Sequence, residues 1–339
     1  MRKSQPVDWP GRGGNGDAKR PEGAVFGCRT HRSLVVADNR LMTPLRRIVD
    51  GQSVMVQRRT VHRMFLLLPT PQTRMILAYC LGYVQQKYSV QLHEFIFLSN
   101  HYHLVLTDPL GELPAFMRDL NSLIARSLNA SYGRWESLWS SDPYCAPSLC
   151  EGEDTFAKCI YTLCNASDAG LVRYSKEYEG LSSWGLDYGE PVKHRRPEAF
   201  FSEMMPDEVS IMLTRPEHVR PELSDRVLRD ELRRAVRDQE GRNARRIRGA
   251  GGAFLGMRRV LRQRITDTPS SRAPRRGIRP RVAGKSRWAR VEALQRDAKF
   301  RSEYRAARLE FCAGDRDVVF PHGTYQLRVE LGVRCRPPP

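Results

Sequence analysis

No run of eighteen apolar residues occurs anywhere in the 339 residues, which excludes a membrane-spanning helix. No basic start leads into an apolar core, so the sequence predicts no secretory leader and a cytoplasmic protein. The eight cysteines contain no C-x-x-C pair, which argues against a zinc ribbon. Cys145 and Cys150, like Cys159 and Cys164, are spaced by five and read as buried, reduced thiols. Residues 1–41 have no sustained apolar period and carry Gly11-Arg12-Gly13-Gly14-Asn15-Gly16, the composition of a disordered tail. Met42-Thr43-Pro44 comes just before the first strand signal, so Met42 is a candidate initiator.

Acid is also in short supply: 38 Asp+Glu face 56 Lys+Arg, a net charge of +18. Nearly all of the excess is C-terminal, since residues 220–310 hold 27 basic and 11 acidic side chains. Arginine dominates there, and its planar fork suits bidentate phosphate contact and base stacking, so nucleic acid is the expected partner. The bland alternative is a solvated arginine-rich surface.

His101-Tyr102-His103 ends the run Phe95-Ile96-Phe97-Leu98-Ser99-Asn100. Two residues apart on a strand means the same face, so two imidazoles can reach one divalent ion while Tyr102 points the other way. Alone, an H-x-H pair is a weak signal. Sixty residues on, Phe156 to Asn165 reads as an amphipathic helix that stops near Gly170, with Phe156, Cys159, Ile160 and Leu163 as its apolar stripe. Tyr161 and Asn165 are four apart and share a neighbouring face. Taken singly, Tyr161 reads first as a boundary core aromatic and Asn165 as a polar residue near a helix end, so the pair alone is a weak signal.

The element order is strand (from Val54), helix (Pro71 to about Tyr88), strand (Gln91–Leu98), strand (His101–Thr107), helix (Leu113–Tyr132), then the Tyr161 helix. Ser99-Asn100 is a turn-favouring pair joining two strands into an antiparallel hairpin. Such an order suits an α+β, ferredoxin-like sandwich with a central antiparallel sheet, one face covered by helices and the other free to hold a metal and a DNA strand. Beyond residue 200 the pattern loosens into a basic helical C-terminal extension. Pro221–Arg237 and Phe254–Leu261 read as two helices, either a small DNA-binding module or an extension packed on the core. Residues 266–287 read as a basic linker. The resulting division is a tail at 1–41, the α+β domain at 42–190, a basic helical region at 191–265, the linker, and a C-terminal helix with the Phe320–Arg328 segment at 288–339. On this division the core folds without residues beyond 215.

Four stretches together resemble the HUH single-strand transposases with one catalytic tyrosine, specifically the REP-associated tyrosine transposases. Ser99-Asn100-His101-Tyr102-His103-Leu104-Val105-Leu106 is similar to the family's P-N-H-x-H-L-L strand, with Ser99 for proline. Tyr132-Gly133-Arg134-Trp135 with Leu138-Trp139 is similar to its Y-G-R and W segment. Tyr161-Thr162-Leu163-Cys164-Asn165 with Ala169-Gly170-Leu171-Val172 is similar to Y-I-x-x-N-P-x-x-A-G-L-V, with Ala166 for proline and Asp168 adding negative charge. Phe320-Pro321-His322-Gly323-Thr324-Tyr325-Gln326-Leu327-Arg328 resembles a C-terminal signature of one branch. The resemblance covers residues 45–190 and this last segment. It implies a nucleoid-associated single-stranded DNA endonuclease and strand transferase acting at hairpin-forming DNA. His101, His103 and Asn165 would hold Mg²⁺ or Mn²⁺, and Tyr161 would be the nucleophile. Arg118, Arg126, Arg134, Arg258, Arg259 and Arg262 are the candidate DNA contacts. A binder of hairpin DNA or RNA that does not cleave is the alternative, and monomer or homodimer stays open.

Overall fold

The computed structural model describes residues 45–198, 201–271 and 280–338. The expected tail at 1–41, Met42, and residues 272–279 of the linker lie outside the described residues.

In chain order the elements are β1 (Gln52–Arg59), α1 (Pro71–Lys87), β2 (Gln91–Leu98), β3 (His101–Asp108), α2 (Leu113–Tyr132), β4 (Ser148–Leu149), α3 (Gly152–Leu163) and α4 (Asn165–Asp168). They continue with β5 (Pro191–Arg195), β6 (Glu208–Met212), α5 (Asp225–Gly249), α6 (Met257–Leu261), β7 (Val282–Ala283), α7 (Arg287–Cys312) and α8 (Gln326–Leu331). The main sheet runs β2-β3-β1-β4-β7, antiparallel at every pair except β4–β7. Its first four strands have the ferredoxin-like order, in an α+β fold. β3 has a neighbour on each side, with Arg59 opposite His101 at one end and Gln52 opposite Asp108 at the other.

Local chemistry sets the boundaries. Thr70 caps α1 by accepting from the Thr73 N–H at 3.1 Å, and Pro71 fits the first helical position, where no N–H is needed. Gly133, at φ 63, takes the left-handed conformation that ends α2.

Both faces of the sheet are covered, contrary to the expectation of one free face. β2 and β3 are buried almost throughout because α1 and α2 pack on the Tyr102 side while α3, backed by α5, lies on the His103 side. The open part of the His103 face is thus confined to the end of the strands where α3 stops.

The C-terminal half departs most from the sequence reading. β5 and β6 form an antiparallel hairpin where only helix was expected, and the helix expected at Pro221–Arg237 is the 25-residue α5. Residues 280–283 reach the sheet edge, so the end of the linker supplies β7. α5 also plants Leu228, Leu232 and Val236 in the main core, each contributing about 1.5–3 kcal/mol by burial. Its Arg229 bonds the buried Glu94 of β2 and, at 2.9 Å, the Ser183 carbonyl. A chain ended at 215 would strand the Glu94 carboxylate in a low-dielectric interior and open the core above it. The core therefore depends on α5. Among the described residues no helix is long and apolar enough to cross a membrane.

Candidate functional site

β3 presents His101 and His103 on one face and anchors itself through the residue between them. Tyr102 points to the opposite face, donates to Asn121 Oδ1 of α2 at 2.7 Å and meets Trp139 edge-on. The two imidazole rings stand perpendicular, their centroids 5.0 Å apart. Burial, and then the positive charge of Arg59, pulls His101 down to about 4. Burial and His101 hold His103 well below the ordinary histidine range. Both are neutral at physiological pH, the state in which a ring nitrogen keeps a lone pair for a metal.

The tautomer of His101 follows from Asn100. Asn100 Nδ2 donates to the Arg63 carbonyl at 3.2 Å, so its Oδ1 is left to accept from His101 Nδ1 at 2.7 Å. That carbonyl is placed by His62 and Arg63, both with left-handed φ of 49° and 61°, a conformation costly for side chains of this kind. His101 Nε2 then carries the lone pair and faces Asn165 Oδ1 at 3.3 Å. Two acceptors meeting at that distance repel unless a cation sits beside both or the amide turns to donate. His103 is 1% exposed, and among the described residues neither of its nitrogens has a hydrogen-bond partner. An unpartnered buried polar group costs about 1–3 kcal/mol, which a ligated ion would relieve. The donor set His101, His103 and Asn165 therefore fits a divalent cation. Among the described residues no three histidine, cysteine, aspartate or glutamate side chains converge, so the amide oxygen is the third donor this set would offer.

α3 brings Tyr161 to this face. Phe156, Cys159 and Leu163 are buried along its inner stripe, which leaves Tyr161 at the edge, 41% exposed, with its ring 5.4 Å from that of His103. Partial burial pushes its phenol up, against the lowering effect of Asn165. The expected single helix starts at Gly152 and is interrupted at Cys164, so Tyr161 lies in the last turn of α3 and Asn165 begins α4. The hydrogen bonds Cys164 N to Ile160 O and Asp168 N to Cys164 O cross the break, which keeps the two side chains near one another. Gly170, at φ 72, ends the run: its N–H and that of Leu171 return to the Ser167 and Ala166 carbonyls.

The two departures from the family pattern have local explanations. Ala166 is fully buried against Ile96, Leu98, Val172 and Tyr178. Asp168 is matched by Arg246 of α5, which donates to its Oδ1 at 2.9 Å and to its carbonyl at 2.7 Å.

The candidate arginines divide by layer. Arg118 and Arg126 lie exposed on α2, across the sheet from the histidines, and Arg118 pairs with Asp119 at 2.9 Å. Arg134 is half-buried beside Glu136 at 3.6 Å. Arg258, Arg259 and Arg262 are exposed in and just after α6, whose lead-in residues Leu255 and Gly256 donate to the Gly170 and Leu171 carbonyls at 2.9 and 2.8 Å. They stand next to α4, on the Tyr161 side.

Sequence reasoning missed two cations at the site. Lys158 lies one turn before Tyr161 with Nζ 5.4 Å from its ring centroid, and Arg59 ends β1 opposite His101. Neither makes an ion pair among the described residues. The i, i+3 spacing could have revealed Lys158. Arg59 arrives through strand register, which has no local signature.

No protein-family model matches the chain, and no curated protein does. Among solved structures, a REP-associated tyrosine transposase bound to a REP hairpin is similar at 18% identity, covering 43% of this chain and 85% of its own, with a TM-score of 0.37. A protein of Deinococcus radiodurans R1 provisionally called a transposase is similar at 20% identity, covering 31% of this chain and 84% of its own, with a TM-score of 0.25.

Proposed function

We propose that the protein is a single-stranded DNA endonuclease and strand transferase of the HUH type, acting at hairpin-forming DNA through a 5′-phosphotyrosyl intermediate. The observation that supports this most is His103: a buried neutral imidazole with both nitrogens unpartnered among the described residues, beside a second imidazole, an amide oxygen and an exposed phenol. A structural core histidine would have found partners.

A phenol with its pKa near 10 is about 0.1% ionised at neutral pH, and Tyr161 is pushed higher still, so the site must help the attack. His101, His103 and Asn165 would hold Mg²⁺ or Mn²⁺, and the mixed nitrogen and oxygen donors suit Mn²⁺ better on ligand softness. When bound, such an ion would polarise the phosphate and offset its charge. Lys158 and Arg59 would contribute further positive charge where a phosphate approaches Tyr161. The Tyr161 oxygen forms its bond to phosphorus as the bond to O3′ breaks. The phenolic proton passes to solvent, and O3′ gains one to become a free hydroxyl. One ester replaces another, so no ATP is consumed, and a later 3′-hydroxyl can reverse the step and release the enzyme.

The test is incubation with end-labelled hairpin-forming single strands and Mn²⁺, followed by denaturing electrophoresis. A covalent adduct is expected from the wild type and none from Tyr161→Phe, whose hairpin binding stays within about threefold because one hydroxyl is few of the phosphate contacts. An adduct that survives Tyr161→Phe and vanishes with Tyr132→Phe or Tyr144→Phe would overturn the assignment.

A further inference from the structure

A cavity of about 760 Å³ opens at the opposite end of the sheet from Tyr161, beside the Gln52–Asp108 end of the β1–β3 ladder. Seven residue steps along β3 separate it from His101, about 23 Å at strand spacing. Its volume lies within the range of pockets that hold small organic ligands.

The walls carry an unusual charge arrangement. Arg46, Arg47, Arg281 and Arg296 all line it. Arg281 is committed to Asp297 at 2.9 Å and to the Leu45 carbonyl at 3.0 Å. Asp108 also lines the cavity, but its carboxylate is turned away to accept the Glu112 and Leu113 N–H groups at 2.8 Å, capping α2. Arg47 is half-buried and makes no ion pair among the described residues; burial and the neighbouring Arg296 act against its charge and Asp297 acts for it, while Arg296 itself pairs with Glu292 at 3.4 Å. Asp297 is already shared between Arg281 and Arg301, so an entering anion would further offset the cost of a guanidinium withdrawn from water beside a second one. Arg46 sits over Tyr144, its guanidinium carbon 4.0 Å from the ring centroid, and donates to the Tyr144 carbonyl, so a planar cation held in place lines the cavity. Guanidinium planes are good platforms for nucleobases. His218 supplies a polar wall, fixed through Nε2 by Thr155 Oγ1 at 2.9 Å.

We propose that this cavity binds one nucleotide unit, its phosphate against Arg47 and Arg296 and its base stacked on the Arg46–Tyr144 pair. The chemistry is shared by a free nucleotide and by one residue of a DNA strand, and the inference does not require cleavage at Tyr161.

Titration calorimetry on the full chain with 2′-deoxyadenosine 5′-monophosphate, and separately with the dinucleotide d(ApA), distinguishes the sources. Arg47→Gln should weaken the ligand that binds by about 10-fold or more, the loss expected for one charged hydrogen bond. A loss confined to the monophosphate assigns the site to a free nucleotide. A loss confined to the dinucleotide assigns it to a strand. Tyr161→Phe should change neither, which separates this site from the reaction proposed above. Arg296 has a 59% exposed side chain, so Arg296→Gln keeps the fold and gives the same reading if Arg47→Gln does not fold. No binding of either ligand by the wild type, or unchanged affinity in both variants, overturns the proposal.

Discussion

Single side chains carry most of the functional information in this protein, and Asn100 is the clearest case. It fixes which nitrogen of His101 keeps a lone pair, so Asn100→Ala should leave the fold intact while weakening Mn²⁺ binding by about 10- to 100-fold, measured by calorimetry. Unchanged Mn²⁺ affinity would remove its positioning role. Asn100 was visible in the sequence as a turn residue and as part of the strand motif, but not as a positioning residue, because its amide reveals nothing of its partners until Arg63 is placed. His93 makes a separate prediction. Burial lowers it to about 4 in the fold, where Nδ1 meets the Thr214 carbonyl and Nε2 meets Thr107 Oγ1. Its folded pKa lies below the unfolded value near 6.5, so its contribution is complete above 6.5 and is lost as pH falls toward 4. At pH 5 that loss is about 2 kcal/mol. Urea unfolding at pH 7 and pH 5 should show His93→Gln losing less stability than wild type over the same interval. Equal losses would mean His93 is not held neutral.

At the scale of elements, legibility tracked the burial pattern. The β1–α1–β2–β3–α2 order could be read directly because apolar residues recur at strand or helix period, and the Ser99-Asn100 turn set the hairpin register. The β5–β6 hairpin was missed because its signal is short: β5 is Pro191-Val192-Lys193-His194-Arg195 with Val192 as its one apolar side chain after the proline, and in β6 just two residues, Val209 and Ile211, are buried. The docking of α5 was hidden too, since its charge-rich sequence reads as a solvated helix although Arg229 and Leu232 face inward. The buried Arg229–Glu94 pair gives this a measurable consequence. Arg229→Ala should cost about 3–5 kcal/mol by leaving Glu94 buried and unpaired, whereas Glu94→Gln combined with Arg229→Met should recover much of it. Denaturant midpoints decide the matter, and a single variant within about 1 kcal/mol of wild type would show that water reaches Glu94.

For the whole molecule the question is where the charge of +18 acts, and deletion is the wrong instrument because removing residues beyond 215 also removes part of the core. Point changes on α6 avoid this. Arg258 and Arg259 are exposed in α6 and Arg262 just beyond it, with no ion pair among the described residues, and α6 is held beside α4 by the Leu255 and Gly256 hydrogen bonds. A strand leaving Tyr161 across α4 would therefore meet these guanidinium groups next, whereas Arg118 and Arg126 lie beyond the sheet. Each phosphate contact on a single strand contributes about 0.7 to the slope of log affinity against log salt, so replacing all three by glutamine should flatten the slope by about 2 if each touches a phosphate. The same replacement of Arg118 and Arg126 should leave the slope where it was. Anisotropy titrations of a hairpin with a single-stranded flank between 50 and 200 mM salt, a range over which such contacts act strongly, provide the comparison. A slope that falls with the α2 pair and not with the α6 trio would place the DNA on the other layer of the fold.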